Sequence, residues 1–262
     1  MTTTMSPSAD VAASVEETMT VAAARALVGK HRVFAGIGMP TLAVALAQQT
    51  VAKDIEVIYE SGVCGAHPSE LPATIADAVL ITGSEAVLSM PALFGYVLQA
   101  GRIDVGFLGA AQIDRYGNLN SSVIGEWSHP EKRLPGSGGA LEVLANAREV
   151  YVVMRRHTPA AFVDILDFCT SAGPERVEAA GGRPFGLGVT KVFTGYGTLS
   201  RTGPGEELEL TEVHRGVDPD QAVAATGWPL RTARGLRTIE PPTAAELNLL
   251  RNQIDPKRVY LR

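Results

Sequence analysis

Cysteine is scarce in this chain. Cys64 and Cys169 are the only two among 262 residues, which leaves no disulfide framework and no paired spacing for metal ligands. Such usage fits a reducing compartment, and the cytoplasm is the expected address. Basic charge is short as well. With 23 Lys and Arg against 28 Asp and Glu, the formal net charge is −5, and no basic stripe offsets it, so nucleic acid and anionic membranes are not expected partners. Long apolar runs are also missing. No stretch approaches about 18 residues, and the first fifteen residues lack a basic segment followed by an apolar one. Neither membrane insertion nor secretion is expected, and residues 1–15 read as a mobile tail.

What remains is 45% hydrophobic and 19% charged, enough for a sizeable core. Residues 16–262 read as one domain. Apolar positions in 16–28 recur at helical spacing and end at Gly29, and a helix is expected there. Residues 32–35 predict a short strand, followed by a glycine turn and a helix over about 41–50. Further strands are expected at 55–59, 78–82, 103–108 and 149–154, with helices near 89–100 and 139–147. This alternation predicts an α/β fold with an open, mostly parallel sheet and flanking helices. Beyond residue 187, the runs 189–193 and 208–213 alternate and are bracketed by glycines, predicting a β-hairpin region. Pro241-Pro242-Thr243 then reads as a stop and an N-cap before a final helix of about ten residues.

Four segments could carry chemistry. Glu60-Ser61-Gly62 follows the apolar run 55–59, and side chains at the carboxyl ends of strands face the crevice of an open α/β sheet. Glu60 is thus a candidate nucleophile, with an equal claim to be a simple acceptor of turn amides. Gly36-Ile37-Gly38-Met39-Pro40 holds only two glycines of a dinucleotide fingerprint, with Thr41 in place of the third, and by itself reads as a tight turn. The polar loop 108–122 follows a strand and could line a cleft or form a surface turn. Gly136-Ser137-Gly138-Gly139 precedes a helix, where converging backbone N–H groups can hold an oxyanion. Cys64 and His67 invite a thiol–imidazole pair, but on a glycine-rich turn their mutual geometry is open, and Cys64 is expected to pack beneath the loop.

Taken together and in order, these segments resemble the β subunit of the class I coenzyme A transferases, in the glutaconate and 3-oxoadipate branch. The phrases that carry the resemblance are Gly36-Ile37-Gly38-Met39-Pro40, Tyr59-Glu60-Ser61-Gly62, the run 107–114 with Tyr116-Gly117-Asn118-Leu119-Asn120, Ile124-Gly125, and Leu134-Pro135-Gly136-Ser137-Gly138-Gly139. The likeness is strongest over residues 19–171. It implies that Glu60 attacks the thioester of an acyl-CoA and passes through a glutamyl-CoA thioester. It implies further that Gly136, Gly138 and Gly139 form the oxyanion and CoA-binding turn, while Gly36, Gly38, Ser61, Gly62 and Asn118 line the substrate cleft. The implied substrates are a CoA thioester, with succinyl-CoA as donor, and a short dicarboxylic or oxo-dicarboxylic acid, 3-oxoadipate above others. No permanently bound cofactor and no metal are implied. The partner is a separate α subunit completing the site, in a heterodimer or heterotetramer. An acyl-CoA hydrolase or decarboxylase on the same scaffold, and a non-catalytic ligand-sensing subunit, are the competing readings. Segment 174–188 is left as either a lid or an ordinary connection.

Overall fold

The computed structural model describes residues 12–68 and 70–261. Most of the expected tail, residues 1–11, lies outside the described residues. The end of that tail belongs to a helix: Ser14 caps α1 (Val15–Arg25), its hydroxyl accepting the Glu17 N–H while the Glu17 carboxylate accepts the Ser14 N–H at 2.8 Å. Strand β1 (Arg32–Ala35) leads through the glycine turn to α2 (Met39–Gln49), and β2 (Glu56–Ile58), β3 (Val63–Cys64) and β4 (Ala86–Val87) follow. Helix α3 begins at Met90–Ala92 and continues through Leu93–Leu98 with wider turns, the Gln99 N–H reaching the Phe94 carbonyl at 2.8 Å. After β5 (Val105–Leu108) come two small ribbons, β6 (Gln112–Ile113) with β7 (Leu119–Asn120), and β8 (Val123–Gly125) with β9 (Pro130–Arg133). Helix α4 (Ala140–Asn146) then feeds β10 (Glu149–Met154), and α5 (Pro174–Ala179) precedes β11 (Val189–Thr194), β12 (Gly197–Ser200) and β13 (Glu209–His214). Helix α6 (Pro219–Ala224), β14 (Thr232–Ile239) and α7 (Ala244–Leu249, continuing through Leu250–Ile254) complete the order.

Ten strands form one sheet in the order β14-β13-β12-β11-β10-β5-β1-β2-β3-β4. Its centre, from β11 through β2, is parallel, and the neighbouring pairs β2–β3 and β11–β12 are antiparallel. The expected α/β fold is therefore present. Alternate residues of the central strands enter two cores, as the period of a strand requires. Val33, Ala35, Val57, Phe107 and Tyr151 join α1 and α2 on one face, whereas Phe34, Ile58, Leu108, Val152 and Met154 join α3 and α4 on the other. Burial on both faces is why these strands read as continuous apolar runs.

Two expectations need correction. Residues 78–82 form no strand: Asp77 accepts the Val79 N–H at 3.1 Å and that of Ala73 at 3.0 Å, turning Ala78–Leu80 into a short 3₁₀ helix. The runs 189–193 and 208–213 do not pair with each other, because β12 stands between them and makes a meander. Segment 174–188 carries α5 (Pro174–Ala179) and leads into β11. Its end is pinned by Leu187 N–H to Arg148 O and by Val150 N–H to Gly188 O, both at 2.8 Å.

The final helix is clasped to the first. Thr243 and Glu246 form a capping box on α7, and Arg25 of α1 holds Glu246 at 2.7 Å while Arg251 holds Glu17 at 2.6 Å. Each capping glutamate is thus secured from the other helix. The Arg251 guanidinium keeps Glu17 below the usual carboxylate range, and Glu246 is also lowered, the bonds from Arg25 and Thr243 outweighing burial. No helix among the described residues is long and apolar enough to cross a membrane.

Candidate active site

Strands β1, β2, β5 and β10 run parallel, so the loops leaving their carboxyl ends share one rim of the sheet. The chain departs from β1 toward β2 on one side, while β5 lies on the other. Crevices form at such reversals of strand order. Glu60 stands at this rim, at the tip of the tight turn joining β2 to β3. The turn is closed by the Gly62 N–H to Tyr59 O and by the Tyr59 N–H to Val63 O, both at 2.9 Å. Tyr59 is buried against the α2 side, where burial pushes its phenol up to about 12. Glu60 lies on the opposite side, beside Gly139 at the head of α4 and near Phe94 of α3.

Gly62 makes the turn possible. Its φ is +99°, and a Cβ there would lie 1.9 Å from the Leu88 carbonyl oxygen, a combination open only to glycine. The carboxylate of Glu60, half-buried, meets the second glycine segment directly. Oε1 accepts the backbone N–H of Gly139 at 2.9 Å. A Cβ on residue 139 would stand 3.1 Å from the Glu60 Cδ and 2.8 Å from the Phe94 ring, so close approach explains the glycine there. Gly138 is a glycine for a different reason: its φ of +47° is left-handed, and its position lies beside both carboxylate oxygens. Neither the Gly138 N–H nor the Glu60 Oε2 has a hydrogen-bond partner among the described residues.

Gly136 anchors this turn. Its N–H donates to Ser121 O at 2.9 Å and its carbonyl accepts from Ser121 Oγ at 2.7 Å. Asn120 and Thr170 brace Ser121 in turn, Thr170 Oγ1 accepting the Ser121 N–H at 2.9 Å. The polar loop 108–122 therefore supports the glycine turn from behind. Gly36 and Gly38 reach the same rim from β1: the Gly36 N–H donates to Phe107 O at 3.3 Å, and Gly38 takes φ +111° just before α2.

Two candidates sit differently from expectation. Asn118 is 5% exposed, its amide N–H donating to Asp114 Oδ2 at 2.7 Å and its oxygen accepting the Gly173 N–H at 2.7 Å. It is a brace between loops and does not line the cleft. Ser61 directs its hydroxyl inward, where the oxygen is buried and without a partner among the described residues. Cys64 and His67 form no pair: Cys64 is buried with Sγ 3.7 Å from Gly62 O, burial raising its thiol, whereas His67 is exposed beside Gln48. Sequence reasoning missed Phe94, which confines residue 139, and the exposed pair Arg155-Arg156 that follows β10. The doubled arginine after a buried strand was the available signal.

Residues 16–224 match the family described as Coenzyme A transferase. The β subunit of the 3-oxoadipate CoA-transferase of Pseudomonas knackmussii is 42% identical over 244 residues, covering 91% of this chain and 92% of that one. The β subunit of the glutaconate CoA-transferase of Acidaminococcus fermentans is 28% identical over 257 residues, covering 94% of each. The crystal structure of glutaconate coenzyme A-transferase from the same organism superposes with a TM-score of 0.88 at 27% identity, covering 95% of this chain and 98% of that one. The decarboxylase AibA/AibB shares the fold, with a TM-score of 0.80 at 22% identity and coverage of 94% and 97%. The chain belongs to the coenzyme A transferase family.

Proposed function

We propose that this chain is the β subunit of a heteromeric CoA-transferase and that Glu60 is its nucleophile. The substrates of this reading are an acyl-CoA, with succinyl-CoA as donor, and a short oxo-dicarboxylic acid such as 3-oxoadipate, following the relative with the higher identity. Residues 16–262 act as one domain that needs an α chain to complete the cleft. The two unpaired cysteines suit a cytoplasmic setting.

The observation that supports this reading most is the single amide bond on one oxygen of Glu60. Oε2, which is unengaged, attacks the thioester carbonyl. The carbon–sulfur bond breaks, CoA leaves as a thiolate, and an acyl-glutamyl anhydride remains. The thiolate then attacks the Glu60 carbonyl, the anhydride carbon–oxygen bond breaks, and the donor acid departs as a carboxylate. Glu60 now carries CoA as a thioester. The acceptor carboxylate attacks that thioester, CoA leaves again, and its return to the acceptor's acyl carbon restores Glu60. No net proton moves in this sequence.

The two glycines divide the oxyanions between them. Charge develops on Oε1 whenever the Glu60 carbonyl is attacked, and the Gly139 N–H already lies on that atom. The unpartnered Gly138 N–H serves the oxyanion formed on the substrate's own carbonyl. A preorganised donor of this kind contributes roughly 3–4 kcal/mol to an acyl-transfer transition state.

The test is Glu60→Ala in the co-expressed α/β pair, assayed for CoA transfer after size-exclusion chromatography. Loss of transfer with intact assembly is expected. Near wild-type transfer by the variant would remove Glu60 from the chemistry.

A further inference from the structure

An aromatic ring stands against the carboxyl of Glu60. The position that a Cβ of residue 139 would take is 2.8 Å from the Phe94 Cζ and 3.1 Å from the Glu60 Cδ, so the tip of the ring and the carboxyl carbon both lie in van der Waals reach of one point. That point is nearer to Cδ than to Oε1, which is 3.2 Å away. The space it occupies therefore flanks the carbon that a nucleophile attacks. Phe94 is held there from two directions. It sits in the wide-turned part of α3, where its carbonyl accepts the Gln99 N–H at 2.8 Å, and such turns recur at functional sites. Its ring meets Phe34 of β1 edge-on, with centroids 6.3 Å apart and planes at 72°. Phe34 is itself buried and pairs with Ile58 of β2, so the ring is anchored on the strands that deliver Glu60.

During CoA transfer Glu60 passes through a CoA thioester, and water competes with the acceptor acid for that thioester. In hydrolysis the water oxygen bonds to the Glu60 carbonyl carbon, the carbon–sulfur bond breaks, CoA leaves as the thiol, and Glu60 returns as a carboxylate with one proton released to solvent. No acyl acceptor is then made. Nothing polar on the chain stands ready to position that water. The Gly139 N–H is the one hydrogen-bond partner of the Glu60 carboxylate among the described residues, and it comes from the backbone. The surroundings are apolar instead. Leu88, whose N–H crosses the turn to Gly62 O at 2.9 Å, Phe94 and Ala140 are half-buried residues packed on the α3–α4 core. Water reaching a carbonyl flanked by ring carbons must give up hydrogen bonds that the ring does not replace, and excluding it protects a reactive intermediate.

We propose that Phe94 shields the Glu60 carboxyl from water and so sets the partition between CoA transfer and hydrolysis. The proposal rests on the CoA-transferase reading and goes beyond it, because the nucleophile alone does not decide whether water or the acceptor acid resolves the thioester. Phe94 acts by filling space, so its effect lies in the lifetime of the intermediate.

The experiment loads the α/β pair with succinyl-CoA in the absence of acceptor, removes free nucleotide by rapid gel filtration and follows loss of the Glu60 thioester by intact mass. Wild type, Phe94→Ala and Phe94→Leu are compared. Phe94→Ala opens the volume of the ring to water and is expected to shorten the lifetime of the thioester about tenfold or more. Phe94→Leu keeps apolar bulk at the position and should shorten it by a smaller factor. The ratio of hydrolysis to transfer at saturating acceptor should rise in the same order. If Phe94→Ala does not assemble with the α chain, the lifetime in Phe94→Leu decides: shorter than wild type supports the shield, and equal to it overturns the shield. Equal lifetimes in all three proteins would overturn the proposal and leave the transferase reading standing. A fall in transfer with an unchanged lifetime would make Phe94 a packing residue only and overturn it likewise. No thioester on wild type would overturn the transferase reading, and this proposal with it.

Discussion

The backbone N–H of Gly139 donates to Oε1 of Glu60 at 2.9 Å, across 79 residues of sequence. One bond thereby fixes the orientation of a carboxylate that the β2–β3 turn only delivers. It also leaves one oxygen restrained and the other open, an asymmetry suited to a nucleophile that becomes an acyl group.

Gly139→Ala should separate this contact from simple assembly. The added methyl meets Phe94 at 2.8 Å and the Glu60 carboxyl carbon at 3.1 Å, so the carboxylate or the turn must move. We expect kcat to fall by about 10²–10³-fold, the size of one lost oxyanion donor, with a stability cost of about 1–3 kcal/mol for overpacking. Steady-state kinetics and thermal melts of the purified pair measure the two effects. Unchanged kcat would show that the contact has no catalytic part.

Ser61→Ala should be tolerated by the fold. The hydroxyl oxygen is buried without a partner among the described residues, and an unsatisfied buried polar group costs about 1–3 kcal/mol. Removing it is expected to leave Tm unchanged or raise it. A clear fall in Tm would mean that the hydroxyl has a partner in the assembled enzyme.

His157 should make stability depend on mild acid. It stacks on Phe162 at 3.8 Å, and its ring nitrogens meet Thr194 at 3.1 Å and Thr226 at 2.9 Å. Burial pushes His157 down to about 4. An unfolded histidine titrates near ~6.5, so between these values the unfolded chain binds a proton that the folded chain refuses. Stability contributed by the neutral ring is full above about pH 6.5 and lost as pH falls toward 4. Urea melts of wild type should weaken across that window, and His157→Gln should flatten the slope. An identical slope in the variant would place the acid sensitivity elsewhere.

Much of the fold is legible in the sequence, for physical reasons. Central strands buried on both faces leave continuous apolar runs, which is why 32–35, 103–108 and 149–154 are readable. The run 78–82 misleads because it is equally apolar, and only the side chain of Asp77, bonding its neighbours' amides, turns it into helix. Strand β12 is four residues beginning at a glycine, and edge strand β14 exposes most of its side chains, so neither shows an alternation to read. At the site, motif order names Glu60 and the glycine turn. It does not reveal that Asn118 faces inward to Asp114 and Gly173, because a loop asparagine looks the same in sequence whether it braces or binds. Nor does it show that Phe94 closes on residue 139, a contact made only when α3 and α4 share one side of the sheet.

The central claim is a covalent one, and the most direct measurement is a trap. The α/β pair is incubated with an acyl-CoA and no acceptor, digested, and read by mass spectrometry with and without hydroxylamine. A CoA thioester on the peptide containing Glu60, released by hydroxylamine and absent from Glu60→Ala, is the predicted result. Turnover of the acyl-CoA with no adduct on that peptide would contradict the account.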